Sequence, residues 1–174
     1  MTRSLRMIVA ASCAALALSA GAGGAQEAEE SPTLADHEAI EATLYRYARG
    51  LDRGDPELYT SAFAPDGALY SGENALAEGH EALAAIVQGV VDNRAAAAER
   101  GEPARQLYHM DANSRIEFVS ADNAVHHAYY LTLAQTGAGA ESEIDVIAVG
   151  STEDELRKID GEWLIVKRTI ISGP

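Results

Sequence analysis

After Pro103 the hydrophobic period of this chain changes from helical to strand-like, and that single change restricts the folds open to it. Ahead of it, Ile40, Leu44, Tyr47 and Leu51 recur at helical spacing until Gly54, with Ser31-Pro32 or Asp36 able to start the helix. Asp55-Pro56 reads as a cap followed by proline at the first helical position, opening a short helix through Phe63. Ala64-Pro65-Asp66-Gly67 is a turn into a short strand, Ala68 to Tyr70, and Gly79-His80 opens a third helix that ends near Gly101. Beyond Pro103 four strands are expected, Gln106 to Ser120, Ala124 to Thr136, Glu143 to Arg157 and Glu162 to Ile171, the last two joined by the hairpin signal Asp160-Gly161. Helices first and a long antiparallel meander after make an α+β domain. A curved sheet wrapped by those helices leaves a cavity between its concave face and the first helix.

The N-terminus stands apart from this domain. Arg3 and Arg6 precede an apolar run from Met7 to about Ala20, followed by small residues that allow cleavage after Ala22 or Ala25, which is the layout of a secretory signal peptide. Residues 1–25 are therefore assigned to the signal, 26–32 to a polar linker and 33–174 to one domain, and the protein is expected to be exported, periplasmic or secreted. The only cysteine, Cys13, lies in the signal, so no disulfide or cysteine metal site is expected in the mature chain. The formal charge of −14 becomes more negative once the two arginines leave, which argues against nucleic acid and anionic membrane as partners.

Alternation assigns faces to the strands. In the last, Leu164, Val166, Arg168 and Ile170 share one face, placing a charge among aliphatics. In the second long strand Val125, His127, Tyr129, Leu131 and Leu133 share a face, which puts His127 inside and His126 outside. In the first long strand Tyr108, Met110, Ala112, Ile116 and Phe118 form the more apolar face, and His109, Asp111 and Asn113 the polar one. Periodicity alone leaves open whether His109 meets solvent or the cavity.

The run RYARGLDRGDPELYTSAFAPDGALYSG, the helix start GHEAL, the stretch HMDANSRIEFVSADNAVHHAYYL and the closing DGEWLIVKRTI resemble a SnoaL-like member of the nuclear transport factor two-like superfamily. The resemblance spans nearly the whole mature chain and implies a cone of curved antiparallel sheet with helices around an apolar pocket. Its polar pattern is most similar to scytalone dehydratase and the bile-acid dehydratases, which implies elimination of water without a cofactor; no pair of histidines or carboxylates has the spacing that argues for a metal. In that pattern Tyr47 and Asp52 lie on the first helix, Tyr70 on the following strand, His109 on a long strand and Arg168 late in the last strand. A second histidine of scytalone dehydratase falls near His127 or Ala128. Ketosteroid isomerases match less well, because their base carboxylate would fall near Ser71.

Asp52, His109, Tyr47 and Tyr70 are accordingly expected to carry the chemistry, with Arg168, His127, Tyr129 and Asn113 as substrate contacts. Asp52 sits near the last helical turn, where a carboxylate opposes the helix dipole, and this unfavourable placement calls for a functional reason. Five residues do not bring Tyr47 and Asp52 onto one helical face, so their convergence is expected to need an unwound helix end. The expected ligand is a small hydrophobic molecule, and the resemblance implies a homodimer or homotrimer. A periplasmic binding module without turnover is the alternative, distinguished by whether Asp52 lies within hydrogen-bond reach of His109.

Overall fold

The computed structural model describes residues 31–103, 105–137, 139 and 142–173. The expected signal, its cleavage position and residues 26–30 of the linker lie outside them. Three helices, α1 (Leu34–Arg53), α2 (Pro56–Thr60) and α3 (Gly79–Glu99), accompany six strands: β1 (Phe63–Ser71), β2 (Asn74–Glu78), β3 (Arg105–Phe118), β4 (Asn123–Thr136), β5 (Glu143–Ile159) and β6 (Glu162–Ser172). The strands form one curved, unclosed sheet in the order β2-β1-β6-β5-β4-β3. The meander β3 to β6 is antiparallel as expected, whereas β1 pairs with β6 in parallel, because the chain crosses the sheet before β3 and returns to β1 only at its end.

Local chemistry sets the helix ends. Thr33 caps α1 in a reciprocal box with Asp36, and Gly54 ends it in the left-handed region at φ 69°. Asp55 caps α2 by accepting from the Leu58 N–H, and Pro56 occupies the first turn. The short helix stops at Thr60 rather than Phe63, since Phe63 already pairs with Ile165 of β6.

Along α1 the two ends of the cone are distinguished. Its first half lies over the closed end: Asp36 accepts from Trp163 Nε1 and Lys158 Nζ, both at 2.9 Å, and Thr43 Oγ1 donates to the Trp163 carbonyl. Ile40, Phe63, Leu156, Trp163 and Ile165 fill this end, each buried aliphatic or aromatic side chain contributing roughly 1.5–3 kcal/mol. The second half of α1, from Tyr47 to Asp52, overhangs the open end.

Irregular strands decide which residues look inward. In β3 the register with β4 slips between Ala112 and Arg115, and Asn113 there takes φ 53°. That bulge lets His109 and Asp111 face inward on one side of it and Ile116 and Phe118 on the other, although simple alternation separates them. A similar slip between Ile165 and Lys167 of β6 puts Arg168 on the inner face with Trp163 and Ile165, and not with Leu164 and Val166 as expected. Strand β4 has no bulge of its own, yet from Ala124 to Tyr129 its faces are the reverse of those expected, while Leu131 lines the cavity. Ala124, His126 and Ala128 are buried, whereas His127 is half exposed and Tyr129 is 60% exposed. The physical reason is space: the concave side beneath α1 admits alanines and a hydrogen-bonded imidazole, and the bulkier row is left on the convex side.

Candidate active site

The site is assembled where the end of α1 meets β3. The Asp52 carbonyl, left over at the helix C-terminus, accepts from Arg94 Nη2 and Gln106 Nε2, both at 2.9 Å. Fixed from behind in this way, the Asp52 carboxylate turns to β3, where one oxygen accepts from the His109 main-chain N–H at 3.0 Å and from His109 Nδ1 at 2.8 Å. Arg49 stands 4.0 Å from the other oxygen. A carboxylate on Nδ1 selects the tautomer protonated there and leaves Nε2 as the nitrogen with a lone pair. The helix does not unwind to achieve this. Asp52 remains helical, and its side chain is buried against β3.

His109 lines a cavity of about 340 Å³ whose walls are otherwise mostly apolar: Leu51, Leu69, Ile86, Leu107, Ile147 and Ile170 among them. Asp52 itself lies behind the imidazole and is not part of the lining. A second cavity of about 730 Å³ between α3 and the sheet shares Leu107 and Ile147 with the first, so the two meet at a common wall.

Tyr47 and Arg168 face each other across the inner end. The Arg168 guanidinium lies 4.1 Å from the centre of the Tyr47 ring. It donates from Nη1 to both oxygens of Asp154, at 3.0 and 2.9 Å, and Nη2 approaches Asp111 at 3.4 Å. Asp154 also accepts from His126 Nδ1 at 2.8 Å, and His126 Nε2 meets Ser114 Oγ at 2.7 Å, so the network ends at the β3 bulge. Burial opposes the charge on Arg168, but Asp154, Tyr47 and Asp111 more than offset it and hold its pKa above the ordinary guanidinium value. Burial also pushes the Tyr47 phenol up, with Arg168 acting against it, so Tyr47 is a hydrogen-bond donor at neutral pH.

Not every expected site residue converges here. Tyr47, Asp52, His109 and Arg168 do. Tyr70 points to the other face of β1, because its neighbour Leu69 takes the inward position; its hydroxyl donates to Glu78 at 3.1 Å and Lys167 lies over its ring. His127 pairs with Glu153 on the convex face, Tyr129 stands exposed beside it, and Asn113 is turned outward at the bulge, so none of the three lines the cavity.

A different tyrosine enters in their place. Tyr59 of α2 is fully buried, lines the cavity and lies 5.2 Å from the Tyr47 ring. Its signal in the sequence was the Asp55 cap, which fixes the phase of a helix whose single inward residue is Tyr59. Gly50 is what admits it: a Cβ there would stand 2.5 Å from the Tyr59 backbone. Asp111, His126, Asp154 and Thr152 were likewise missed as partners, and only the bulged register brings them together.

A cone of sheet and helices around an apolar pocket, with an imidazole on its wall and a carboxylate behind it, defines a class, the nuclear transport factor two-like pocket proteins. Within it, the chain belongs to the family of the SnoaL-like domain, whose model matches residues 32–169. It is similar to a solved protein of unknown function with a cystatin-like fold from Nostoc punctiforme PCC 73102, at 27% identity over 82% of this chain and 94% of that one, TM-score 0.63. It is also similar to a candidate scytalone dehydratase from Novosphingobium aromaticivorans DSM 12444, at 24% identity over 81% and 86%, TM-score 0.62. A nuclear transport factor two-like protein with a cystatin-like fold, also from Novosphingobium aromaticivorans, matches at 21% identity over 80% and 82%, TM-score 0.63. No curated protein matches the sequence.

Proposed function

We propose that this protein is an acid/base enzyme of the dehydratase type, acting on a hydrophobic cyclic hydroxy-carbonyl compound without a cofactor. The observation that carries the proposal is the 2.8 Å contact between Asp52 and His109 Nδ1 at the wall of an apolar cavity. With Nδ1 held by the carboxylate, Nε2 is the base that removes a proton α or vinylogous to the substrate carbonyl. Tyr47 donates to the developing enolate oxygen, and a largely apolar surround strengthens that bond. The proton taken by His109 is then available to the departing hydroxyl, so that water leaves without a metal.

The same distance separates this reading from a pocket that only binds, since a pure binding site has no need of an imidazole held in one tautomer. The test is loss of water from β-hydroxy ketones by the mature protein, followed by the absorbance of the conjugated product. His109→Ala and Asp52→Asn should each lower it by at least about a hundredfold in folded protein, and full activity in both would sink the proposal. The enzyme is proposed to work after export and as a homodimer or homotrimer. The exposed apolar row on the convex face, Tyr129, Val146 and Val149, supports a second copy of the chain as its cover.

A further inference from the structure

The cavity at His109 is the smaller of two. The space between α3 and the sheet is about 730 Å³ against about 340 Å³, and Leu107 and Ile147 belong to both walls. A substrate confined to the first cavity would leave the larger space unused, although much of its wall, Val90, Ala97, Ala98 and Pro103 with the shared pair, is apolar. The rest of that wall carries charge. Arg94 and Arg105 both line it, and neither has a carboxylate partner among the described residues, whereas Arg46, Arg100, Arg115, Arg157 and Arg168 are each ion-paired. We infer that the second cavity is a subsite for an apolar tail ending in a carboxylate, carried by the same substrate whose ring meets His109. This deepens the proposed function, and it rests on that reading for the ring in the first cavity.

The end of α1 brings the two cations together. Arg94 Nη2 and Gln106 Nε2 donate to one acceptor, the Asp52 carbonyl, each at 2.9 Å, so the Arg94 guanidinium lies beside the start of β3, where Arg105 is the next residue to Gln106. That acceptor is neutral and leaves the charge of Arg94 unmatched. The guanidinium makes no other hydrogen bond among the described residues, and the remaining donors of its planar fork suit a carboxylate. The acids of the wall do not cancel the two cations. Glu102 has both oxygens engaged by Arg100, at 2.6 and 3.1 Å, which leaves Asp145 as the carboxylate set against Arg94 and Arg105. The excess is a single positive charge, which matches a carboxylate better than a dianion such as a phosphate monoester.

Titration calorimetry with three unreactive probes on one scaffold tests this: ω-phenylhexanoate, the corresponding alcohol and the corresponding phosphate monoester. The carboxylate should bind at least about fivefold more tightly than the alcohol, and the phosphate no more tightly than the carboxylate. Phenylacetate, whose carboxylate stays beside its ring, should show no such advantage over phenylethanol. Arg94→Gln, which keeps a donor for the Asp52 carbonyl, and Arg105→Gln, a change at an exposed side chain, should each reduce the carboxylate-to-alcohol ratio about threefold or more and leave the alcohol unchanged. An alcohol that binds as tightly as the carboxylate, a phosphate that binds more tightly, an equal advantage for phenylacetate, or an unaltered ratio in either folded variant would overturn the inference. The probes carry no β-hydroxy ketone and are not turned over, so this result and the dehydration assay fail independently.

Discussion

One carboxylate oxygen of Asp52 accepts two hydrogen bonds from a single residue, the main-chain N–H of His109 at 3.0 Å and its imidazole Nδ1 at 2.8 Å. The main-chain bond fixes where β3 passes the end of α1, and the side-chain bond fixes the ring that β3 carries. Position and tautomer of the imidazole thus depend on the same atom.

Asp52 stands behind the imidazole and does not line the cavity, so its removal should act on turnover more than on binding. Asp52→Asn should lower kcat by about a hundredfold to ten-thousandfold, since the wrong tautomer withdraws the base, with KM little changed. Steady-state kinetics on a β-hydroxy ketone would check this, and a change confined to KM would contradict it.

Arg168 and Asp154 are both buried at the inner end of the cone, joined by two bonds from one guanidinium nitrogen. Arg168→Met leaves Asp154 in the interior without its cation and should cost about 3–5 kcal/mol, whereas adding Asp154→Leu should recover part of that loss, His126 Nδ1 then lacking its acceptor. Urea unfolding of the two single variants and the double would measure the coupling. Additive effects would show that the pair does not act as a unit.

Burial raises the pKa of Tyr59 and of Tyr47 above that of a free phenol. In the unfolded chain both ionise near the ordinary value of about 10. Their contribution to stability is therefore complete below about pH 10 and is lost as pH rises through the higher folded values, because the unfolded state gains by releasing protons first. An alkaline titration followed by phenolate absorbance should show these two among the seven tyrosines ionising only as the fold is lost. Phenolate formation by all seven in the folded protein would refute it.

Gly50 is a contact position rather than a flexible one. Alanine improves helix propensity there, but its Cβ would meet the Tyr59 backbone at 2.5 Å, and overpacking of that kind costs about 1–3 kcal/mol. Gly50→Ala should therefore lower the Tm by displacing Tyr59 and the α2 backbone. A higher Tm would show that α2 can move away freely.

On the convex face, Val146, Val149 and Tyr129 are each about 60% exposed. Light scattering should find the mature protein as a dimer or trimer, and Val149→Glu should shift it to monomer. A wild-type monomer at all concentrations would remove the proposed cover for this face.

Much of the fold was legible because its signals are local. Asp55 and Pro56, Gly54 and Asp160-Gly161 each act within a few residues, and the change of period after Pro103 divides helix from meander, whereas the cap of α1 is Thr33 and not the expected Ser31-Pro32 or Asp36. Part of the site was legible for a chemical reason: Asp52 opposes the helix dipole, and Arg168 is a charge set in an apolar strand. The faces of the strands were not. A bulge reverses every assignment beyond it, which is why Leu164 and Val166 do not share the face of Arg168, and why His109 and Phe118 both point inward. His126 and His127 are the plainest case, since adjacent strand residues differ only in which side of the sheet α1 covers.

By itself, then, the sequence determined an α+β chain, most of its helix boundaries and its hairpin through interactions a short segment makes with itself, and Asp52 through a charge set against the helix dipole, while His109 was marked by the resemblance to a known family. The tertiary structure alone decided that β1 lies parallel to β6, that Tyr59 and not Tyr70 enters the cavity, and that Asp111, Asp154 and His126 surround Arg168. Those outcomes depend on the register between strands distant in sequence, where one extra residue turns a side chain from solvent to core.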